Sequence, residues 1–482
     1  MNAQANAIAS AHTTTAALIL AAGQGTRMKS VLPKVMHPLA GRPMIYYPVK
    51  AALDAGLGEV VVVVGHGREH VIEYLSKTFG GKVRTAVQEK QLGTGDAAKS
   101  ACAAVSASMR SALLFYGDVP LLTAHDLSPV VDALLAKKEA VLSVATCTLD
   151  DPFGYGRILR DASGNVTGIR EQKDCSDAER KISEINPGIY AFDLLWAREA
   201  LEMLRPNNAQ GEYYLTDLVS IAAQDKHATV TVTSRPEVLE GINDRHQLAI
   251  AEEKLNARIV EAWRKTGVTI RAGARIEESV TIEPDATIET GVVLRGKTSI
   301  GRSVIVDVGC VISNVSIAEG ALIKPYSVLS DSTVGPRAQI GPFSHVRPES
   351  VIGEEAHLGN FVETKKTRLD KGAKANHLAY LGDGIIGAHA NVGAGTIFCN
   401  YDGYLKHTTT IEEGAFIGSD SQIVAPVTIG KNSYVGTGTT VTKNVPEDAL
   451  ALSRVVQVNK EGYAPRIKAR LKAAKDAKLA KK

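Results

Sequence analysis

"IEESVTIEPDATIETGVVLRGKTSIGRSVIVDVGCVI", residues 276–312, places an aliphatic residue at every sixth position: Ile276, Ile282, Ile288, Leu294, Ile300, Val306 and Ile312. A helix repeats its apolar face every 3.6 residues and a half-buried strand every second residue, so neither explains a period of six. Six is the period of a hexapeptide β-helix. Three hexads there make one triangular coil of about 18 residues, and each side sends one residue into a stacked core. The same step resumes at Val328 and runs through Val334, Ile340, Val346, Ile352 and Leu358 to Thr364. It returns as Ile386, Val392 and Phe398, and again from Ile417 through Ile423, Ile429 and Val435 to Val441. Glycine often follows the apolar residue, as at Gly301, Gly335, Gly353 and Gly418. The 22 residues from Thr364 to Ile386 and the 19 from Phe398 to Ile417 break the period, and both read as loops leaving the prism. A solenoid needs no loops for its own stability, so loops rich in His, Tyr, Asn and Lys are candidate function.

Upstream the pattern is different. Unbroken apolar runs such as "EVVVVVGHG" (59–67) and "SALLFYGD" (111–118) alternate with helical spacing at 42–56 and 95–109. That alternation predicts a mostly parallel α/β sheet, with ligands at the carboxyl ends of its strands. Residues 244–266 contain neither Gly nor Pro and begin with an Asp able to cap, which predicts one long connecting helix. The expected organisation is an extension at 1–15, expected to be disordered, an α/β domain at 16–243, the helix at 244–266, a β-helix domain at 267–465 and a basic tail at 466–482.

The first strand opens into "LILAAGQGTRMKSVLPKVMHPLAG" (18–41). Glycines let backbone N–H groups approach an anion closely, and a following helix would aim its positive end there. The stretch is neither a P-loop, which needs Lys-Ser/Thr after its last glycine, nor a dinucleotide fingerprint, which needs glycine where Met28 stands. Arg27 and Lys34 follow where an anion needs charge. "QLGTGDA" (91–97) supplies a second Gly-rich turn suited to a base or ribose, with Gln88 beside it. Tyr116-Gly117-Asp118 ends a strand. Asp118 reads either as the cap of a helix near Thr123 or as a carboxylate for Mg²⁺, a hard ion that prefers oxygen.

Bulk properties bound the class. The chain has 482 residues, 44% hydrophobic and 22% charged, the composition of an ordinary globular protein. Its net charge of +3 hides a basic terminus, because residues 460–482 hold nine Lys/Arg against two acids. Without interleaved aromatics that tail reads as solvated, and no nucleic-acid partner is expected. No apolar run reaches a membrane span and no secretory signal is visible. Five scattered cysteines without a C-x-x-C pair fit reduced thiols in a cytoplasm.

Seven ordered motifs, the glycine loop, "QLGTGDA", "YGDVPLL", "DPFGYGRI", "EINPGIY", "NAQGEYYLTD" and "EGINDR", resemble nucleotidyltransferases that make nucleotide sugars. Together with the hexad repeat, the chain resembles, over residues 16 to 465, the bacterial family of bifunctional UDP-N-acetylglucosamine pyrophosphorylases and glucosamine-1-phosphate N-acetyltransferases. The resemblance implies a Rossmann-like domain followed by a left-handed parallel β-helix. It implies acetylation of glucosamine 1-phosphate by acetyl-CoA, then uridylyl transfer from UTP to N-acetylglucosamine 1-phosphate with release of pyrophosphate. The product would feed peptidoglycan and lipopolysaccharide synthesis. The enzyme would be a cytoplasmic homotrimer with Mg²⁺ as its metal, and no membrane partner is expected.

Residue by residue, the resemblance puts Leu20, Ala21, Ala22, Gly23, Gln88, Gly93 and Thr94 at the uridine nucleotide. Arg27 and Lys34 handle phosphate, and Gly156, Glu171 and Asn186 hold the sugar. Tyr116, Gly117, Asp118 and Asn243 also line the nucleotide-sugar site, where Asp118 and Asn243 hold Mg²⁺. In the repeat domain it puts Arg347, Lys365, Tyr380 and Asn391 at the acetyl acceptor and His377 as general base. An imidazole, with an ordinary pKa of about 6.5, is suited to take a proton from an attacking amine. Ala394, Asn400, Tyr401, Ser419, Thr437 and Arg454 fall at acetyl-CoA. Two other readings are a single-activity synthase with another base or sugar, such as a thymidylyltransferase, and a regulatory subunit that binds nucleotide sugar without turnover.

Overall fold

A computed structural model describes residues 12–480. The chain divides into two compact units, Met1–Glu261 and Ala262–Lys482. The larger part of the expected disordered extension, residues 1–11, lies outside the described residues. Its last residues are ordered: His12 is buried, its ring 2.9 Å from the Ala55 carbonyl and 2.8 Å from Asp132, and Thr15 already belongs to a strand.

The first unit is built on a sheet in which Arg84–Val87, Glu59–Val64, Thr15–Leu20 and Ser111–Tyr116 lie side by side and parallel. Tyr190–Asp193 follows antiparallel, then Ala140–Thr148 and three short antiparallel strands. Both faces are covered. Ile19, Val62 and Phe115 pack into one core, Leu18, Val61 and Leu114 into another, which is why these strands read as continuous apolar runs. The chain builds outward from Thr15–Leu20 on one side, then crosses to place Ser111–Tyr116 on its other side. The loops after those two strands therefore meet at the switch point of the sheet, where such folds bind ligands.

One local expectation fails there. The glycine loop enters only a 3₁₀ turn, Thr26–Met28, and the next α-helix after the loop begins at Tyr46. Gly25 (φ 61°) and Lys29 (φ 49°) bracket that turn in left-handed backbone, so a helix cannot propagate. The positive charge at the loop comes from side chains. Further on, the helix Arg245–Lys265 is capped by Asp244, whose Oδ1 accepts from the Gln247 N–H at 2.8 Å.

The second unit is a parallel β-helix whose three faces carry 11, 10 and 9 strands. Along one face Ile270, Ile288, Val306, Ile323, Ile340, Leu358, Ala375, Val392, Ile417 and Val435 stack in register. The glycine after the inward residue answers to close coil stacking. A Cβ on Gly353 would come 2.6 Å from the Leu369 carbonyl, and one on Gly418 would come 2.5 Å from the Thr437 nitrogen.

The interruptions differ from the sequence reading. Between Thr364 and Ile386 no loop leaves the prism: Thr364, Leu369, Ala375, Leu381 and Ile386 are all buried at successive sides. The sides entering Leu369 and Ile386 use five residues instead of six. Lys366 (φ 50°) and Asp383 (φ 53°) make their corners in left-handed backbone. His377 consequently sits on a regular strand, Lys374–His377, and not on an excursion. The same five-residue side after Ile312 shifts the phase, so Leu329 (1% exposed) points inward and Val328 (41% exposed) outward. Only the second interval holds an insertion, residues 400–408, folded on a Tyr401–Lys406 bridge. The basic tail forms a helix, Tyr463–Leu479, with no buried residue. Among the described residues no helix is long and apolar enough to cross a membrane.

Candidate functional site

At the switch point four sequence-distant side chains converge. The Lys34 ammonium donates to Asp118 Oδ2 and lies 3.4 Å from Asn243 Oδ1, which also accepts from Arg27 at 2.9 Å. Asn243 is oriented for this: its Nδ2 donates to the Gly241 carbonyl at 3.2 Å and its backbone N–H to Gln247 at 2.7 Å. With the amide nitrogen so engaged, the oxygen faces the two cations. Asp118 is not a helix cap. The helix Ala124–Ala136 is capped by Thr123 in a box with Asp126.

Asp118, Asn243 and Arg27 open onto a cavity of about 670 Å³, also lined by Tyr116, Gly156, Glu171, Asn186 and Gly188. Burial pushes the Glu171 carboxyl above the usual range, and Asp174, Asp217 and Glu212 add to the rise. Asn186 is held by two bonds: its Nδ2 donates to the Tyr190 hydroxyl at 2.5 Å and its Oδ1 accepts from the Gly188 N–H at 3.0 Å. Gly188 lets the Tyr116 ring come close to the backbone, for a Cβ there would fall 2.1 Å from it. Burial raises the Tyr116 and Tyr190 phenols well above their ordinary value, so both are neutral hydrogen-bonding groups.

Leu20, Ala21 and Ala22 are buried where the first strand ends, and Gly23 is exposed just beyond. The second Gly-rich turn closes on them: Gln91 donates to the Ala22 carbonyl at 2.5 Å, and Gln88 donates to Asp96 and to the Gly93 carbonyl. Gly93 (φ 118°) packs on the Tyr213 backbone, and Thr94 accepts from the Leu215 N–H. Gly117 follows the adjacent strand, its N–H donating to the Leu20 carbonyl at 2.9 Å.

On the β-helix the candidate residues form lines, not a cluster. Asn360, His377, Ala394, Ser419 and Thr437 occupy equivalent places on successive coils, each two residues beyond a stacked core position. His377 is exposed, and its Nδ1 is 3.0 Å from Asn360 Oδ1. With that oxygen accepting, Nδ1 is the donor, and in the neutral ring this leaves the lone pair on Nε2. Arg454 approaches the far end of the line, its Nη2 3.6 Å from where a Gly436 Cβ would stand. On the next face Arg347 bonds Glu363 at 2.6 Å, Glu363 pairs with Tyr380, and Lys365 pairs with Gly382. A Cβ on Gly382 would fall 2.5 Å from both the Tyr380 hydroxyl and the Asn400 amide, so those two groups meet over this glycine. Asn400 also donates to Asp383 at 2.5 Å. Tyr401 is exposed in the insertion, and Asn391 lies on the same face as the His377 strand, paired with Lys374.

A nucleotidyl transferase family model matches residues 16–270, a GMPPB C-terminal domain model residues 276–369, and a bacterial transferase hexapeptide model (six repeats) residues 408–443. The bifunctional protein GlmU of Sorangium cellulosum (strain So ce56) is 58% identical over 95% of this chain and 98% of its own length. Proteins of the same name are 50% identical in Anaeromyxobacter sp. (strain Fw109-5), over 94% of this chain and 93% of the relative, and 47% in Trichlorobacter lovleyi, over 93% and 97%. The chain belongs to the GlmU family.

As a GlmU-family protein it is a bifunctional enzyme, with a nucleotidyltransferase unit and a hexapeptide acyltransferase unit. Its two activities are acetyl transfer to glucosamine 1-phosphate and uridylyl transfer to N-acetylglucosamine 1-phosphate. Both act on small molecules, and the family's nucleotidyl transfer depends on a divalent metal. The donor set suits such an ion. Asp118 and Asn243 present two hard oxygens to one ammonium, and bare Gly241 leaves room beside the carboxylate, where a Cβ would stand 3.7 Å from Oδ1. Gln91, Gly188, Tyr190 and Gly241 lie in motifs the sequence displayed but carried no role of their own there, and Gln172 escaped sequence reasoning altogether. Gln172 accepts from both Gly154 N–H and Arg157, tying the rim of the cavity to the strand end at Glu171. In the GlmU β-helix, Asn360, Gly382 and Asp383 were missed likewise. Only spacing in coils of 17 or 18 residues could have flagged Asn360.

Proposed function

We propose that the residues brought together at the two places divide the two reactions as follows. In the first unit Leu20–Gly23, Gln88, Gly93 and Thr94 receive the uridine nucleotide at the switch point. Gly156, Glu171 and Asn186 hold N-acetylglucosamine 1-phosphate in the cavity. The sugar phosphate is already an anionic nucleophile, so this step needs in-line placement and charge neutralisation and no general base. Arg27 and Lys34 supply positive charge to the triphosphate, while Asp118 and Asn243 hold the metal, read as Mg²⁺. That ion, when bound, neutralises phosphate charge and orients its oxygens.

In the second unit Arg347 and Lys365 grip the phosphate of glucosamine 1-phosphate, with Tyr380 and Asn391 alongside. His377 takes the proton from the attacking amine through Nε2, with Asn360 holding its tautomer. Ala394, Asn400, Tyr401, Ser419, Thr437 and Arg454 receive acetyl-CoA along the edge of the prism. These residues lie open on a solenoid, and a homotrimer that lays a second prism against them supplies the missing wall. We assign the reactions to 16–243 and 267–465, the helix at 244–266 joining them and 466–482 forming a tail. The cytoplasm, where UTP and acetyl-CoA are made, is the expected compartment.

The observation that carries this reading is the convergence of Arg27, Lys34, Asp118 and Asn243 on one another at the strand ends. The test is product analysis after mixing the protein with glucosamine 1-phosphate, acetyl-CoA, UTP and Mg²⁺, repeated with Asp118→Ala and His377→Ala. UDP-N-acetylglucosamine should appear only with the native protein. Asp118→Ala should stop at N-acetylglucosamine 1-phosphate, and His377→Ala should leave glucosamine 1-phosphate almost unconsumed. Native behaviour in both variants would overturn the assignment.

A further inference from the structure

Lys34 does more at the switch point than wait for phosphate. Its ammonium bonds Asp118 Oδ2 and lies 3.4 Å from Asn243 Oδ1, so one cation spans the two oxygens read above as the metal's holders. The pair is largely shielded, the Lys34 and Asp118 side chains being 15% and 19% exposed. Arg27 occupies the same Asn243 oxygen at 2.9 Å. In this arrangement the Lys34, Arg27 and Asp118 charges and the Asn243 amide oxygen all have partners within the protein.

We propose that Lys34, assisted by Arg27, is a placeholder cation whose release couples metal entry to nucleotide entry. The inference rests on the reading of Asp118 and Asn243 as the metal's holders. A divalent ion arriving alone must expel the ammonium from Asp118. Lys34 and Arg27 would then face the ion as like charges within a largely shielded site. A metal arriving with a triphosphate meets no such opposition. Phosphate oxygens accept Lys34 and Arg27 as Asp118 and Asn243 turn to the metal, so every pair exchanges and none is left open. A site held in this way therefore discriminates against bare metal and against nucleotide without metal. By linkage each must raise the affinity of the other by the same factor.

The test measures Mn²⁺ binding to the full chain without nucleotide, read from the free-ion signal in electron paramagnetic resonance. Melting curves check that each variant is folded. Lys34→Met should bind Mn²⁺ about tenfold or more tightly than the native protein, the scale expected when a like charge leaves contact distance in a partly exposed site. Lys34→Arg, which keeps the charge, should gain much less. Should Lys34→Met fail to fold, Arg27→Met, at an exposed residue, removes one of the two cations at the Asn243 oxygen and should give a smaller gain in the same direction. Equal or weaker Mn²⁺ binding in the folded methionine variants overturns the placeholder role. Adding Asp118→Asn to Lys34→Met separates the two layers. If the double variant loses the tight ion, the carboxylate is the holder. If it keeps it, the metal reading itself falls, whatever Lys34 does.

Discussion

The two units solve one problem, placing polar groups around a phosphorylated sugar, in opposite ways. In the first, residues as far apart as Arg27 and Asn243 touch directly, beside a cleft of about 670 Å³. In the β-helix the candidates run along an edge and a face, one coil apart, and His377 and Tyr401 are exposed. The difference follows from topology. A crossed parallel sheet gathers its loops at one switch point. A solenoid brings each coil into contact only with its neighbours, so it can draw a line of groups but cannot wrap around a ligand. A site of the second kind needs another surface to become a pocket.

That contrast makes the two sites separable. The largest effect should come from His377→Ala, lowering acetyl-transfer kcat by about 10² to 10⁴, the usual contribution of a positioned base. Uridylyl transfer from supplied N-acetylglucosamine 1-phosphate should stay normal. Steady-state assays of the half-reactions check both, and a parallel loss of both in a folded variant would erase the distinction. Asp118→Ala should do the converse, slowing uridylyl transfer by about 10² to 10³ or more, the scale for removing one preorganised electrostatic contact.

The open wall of the β-helix gives the next test. A fragment of residues 244–482 should sediment as a trimer and keep acetyl transfer. A fully active monomer at micromolar concentration would show that the line of residues is a complete site after all.

Within the first unit's cleft a smaller change is expected. Tyr190→Phe removes the hydroxyl that accepts from Asn186, a bond worth about 0.5–1.5 kcal/mol. It should raise KM for N-acetylglucosamine 1-phosphate a few-fold while KM for UTP stays put. Equal shifts in both constants would make Tyr190 a general packing residue.

The smallest signal should be a pH dependence of stability. Burial raises the Glu171 carboxyl in the folded state, so its ionisation costs native stability. The cost is absent below the ordinary carboxylate pKa, grows as pH climbs toward the raised value, and is complete above it. Glu171→Gln should therefore gain more in melting temperature over the native protein at pH 8 than at pH 4. An identical difference at both values would mean that the carboxyl does not carry the penalty.

Much of this was legible in the chain. The six-residue step specified the β-helix because inward burial and the length of one side impose it locally, coil after coil. The ordered motifs marked strand ends, and Asp244 marked a helix start. What the sequence could not carry was phase and proximity. Five-residue sides at Lys366 and Asp383 preserve the inward series while breaking its count, so a regular strand bearing His377 resembled a loop. No spacing rule could show that Lys34 rests on Asp118 and Asn243, or that Tyr190 holds Asn186. Local periodicity follows from covalent geometry and burial, which act over a few residues. The meeting of Arg27, Lys34, Asp118 and Asn243 depends on the order of strands in the sheet, which only the folded chain decides.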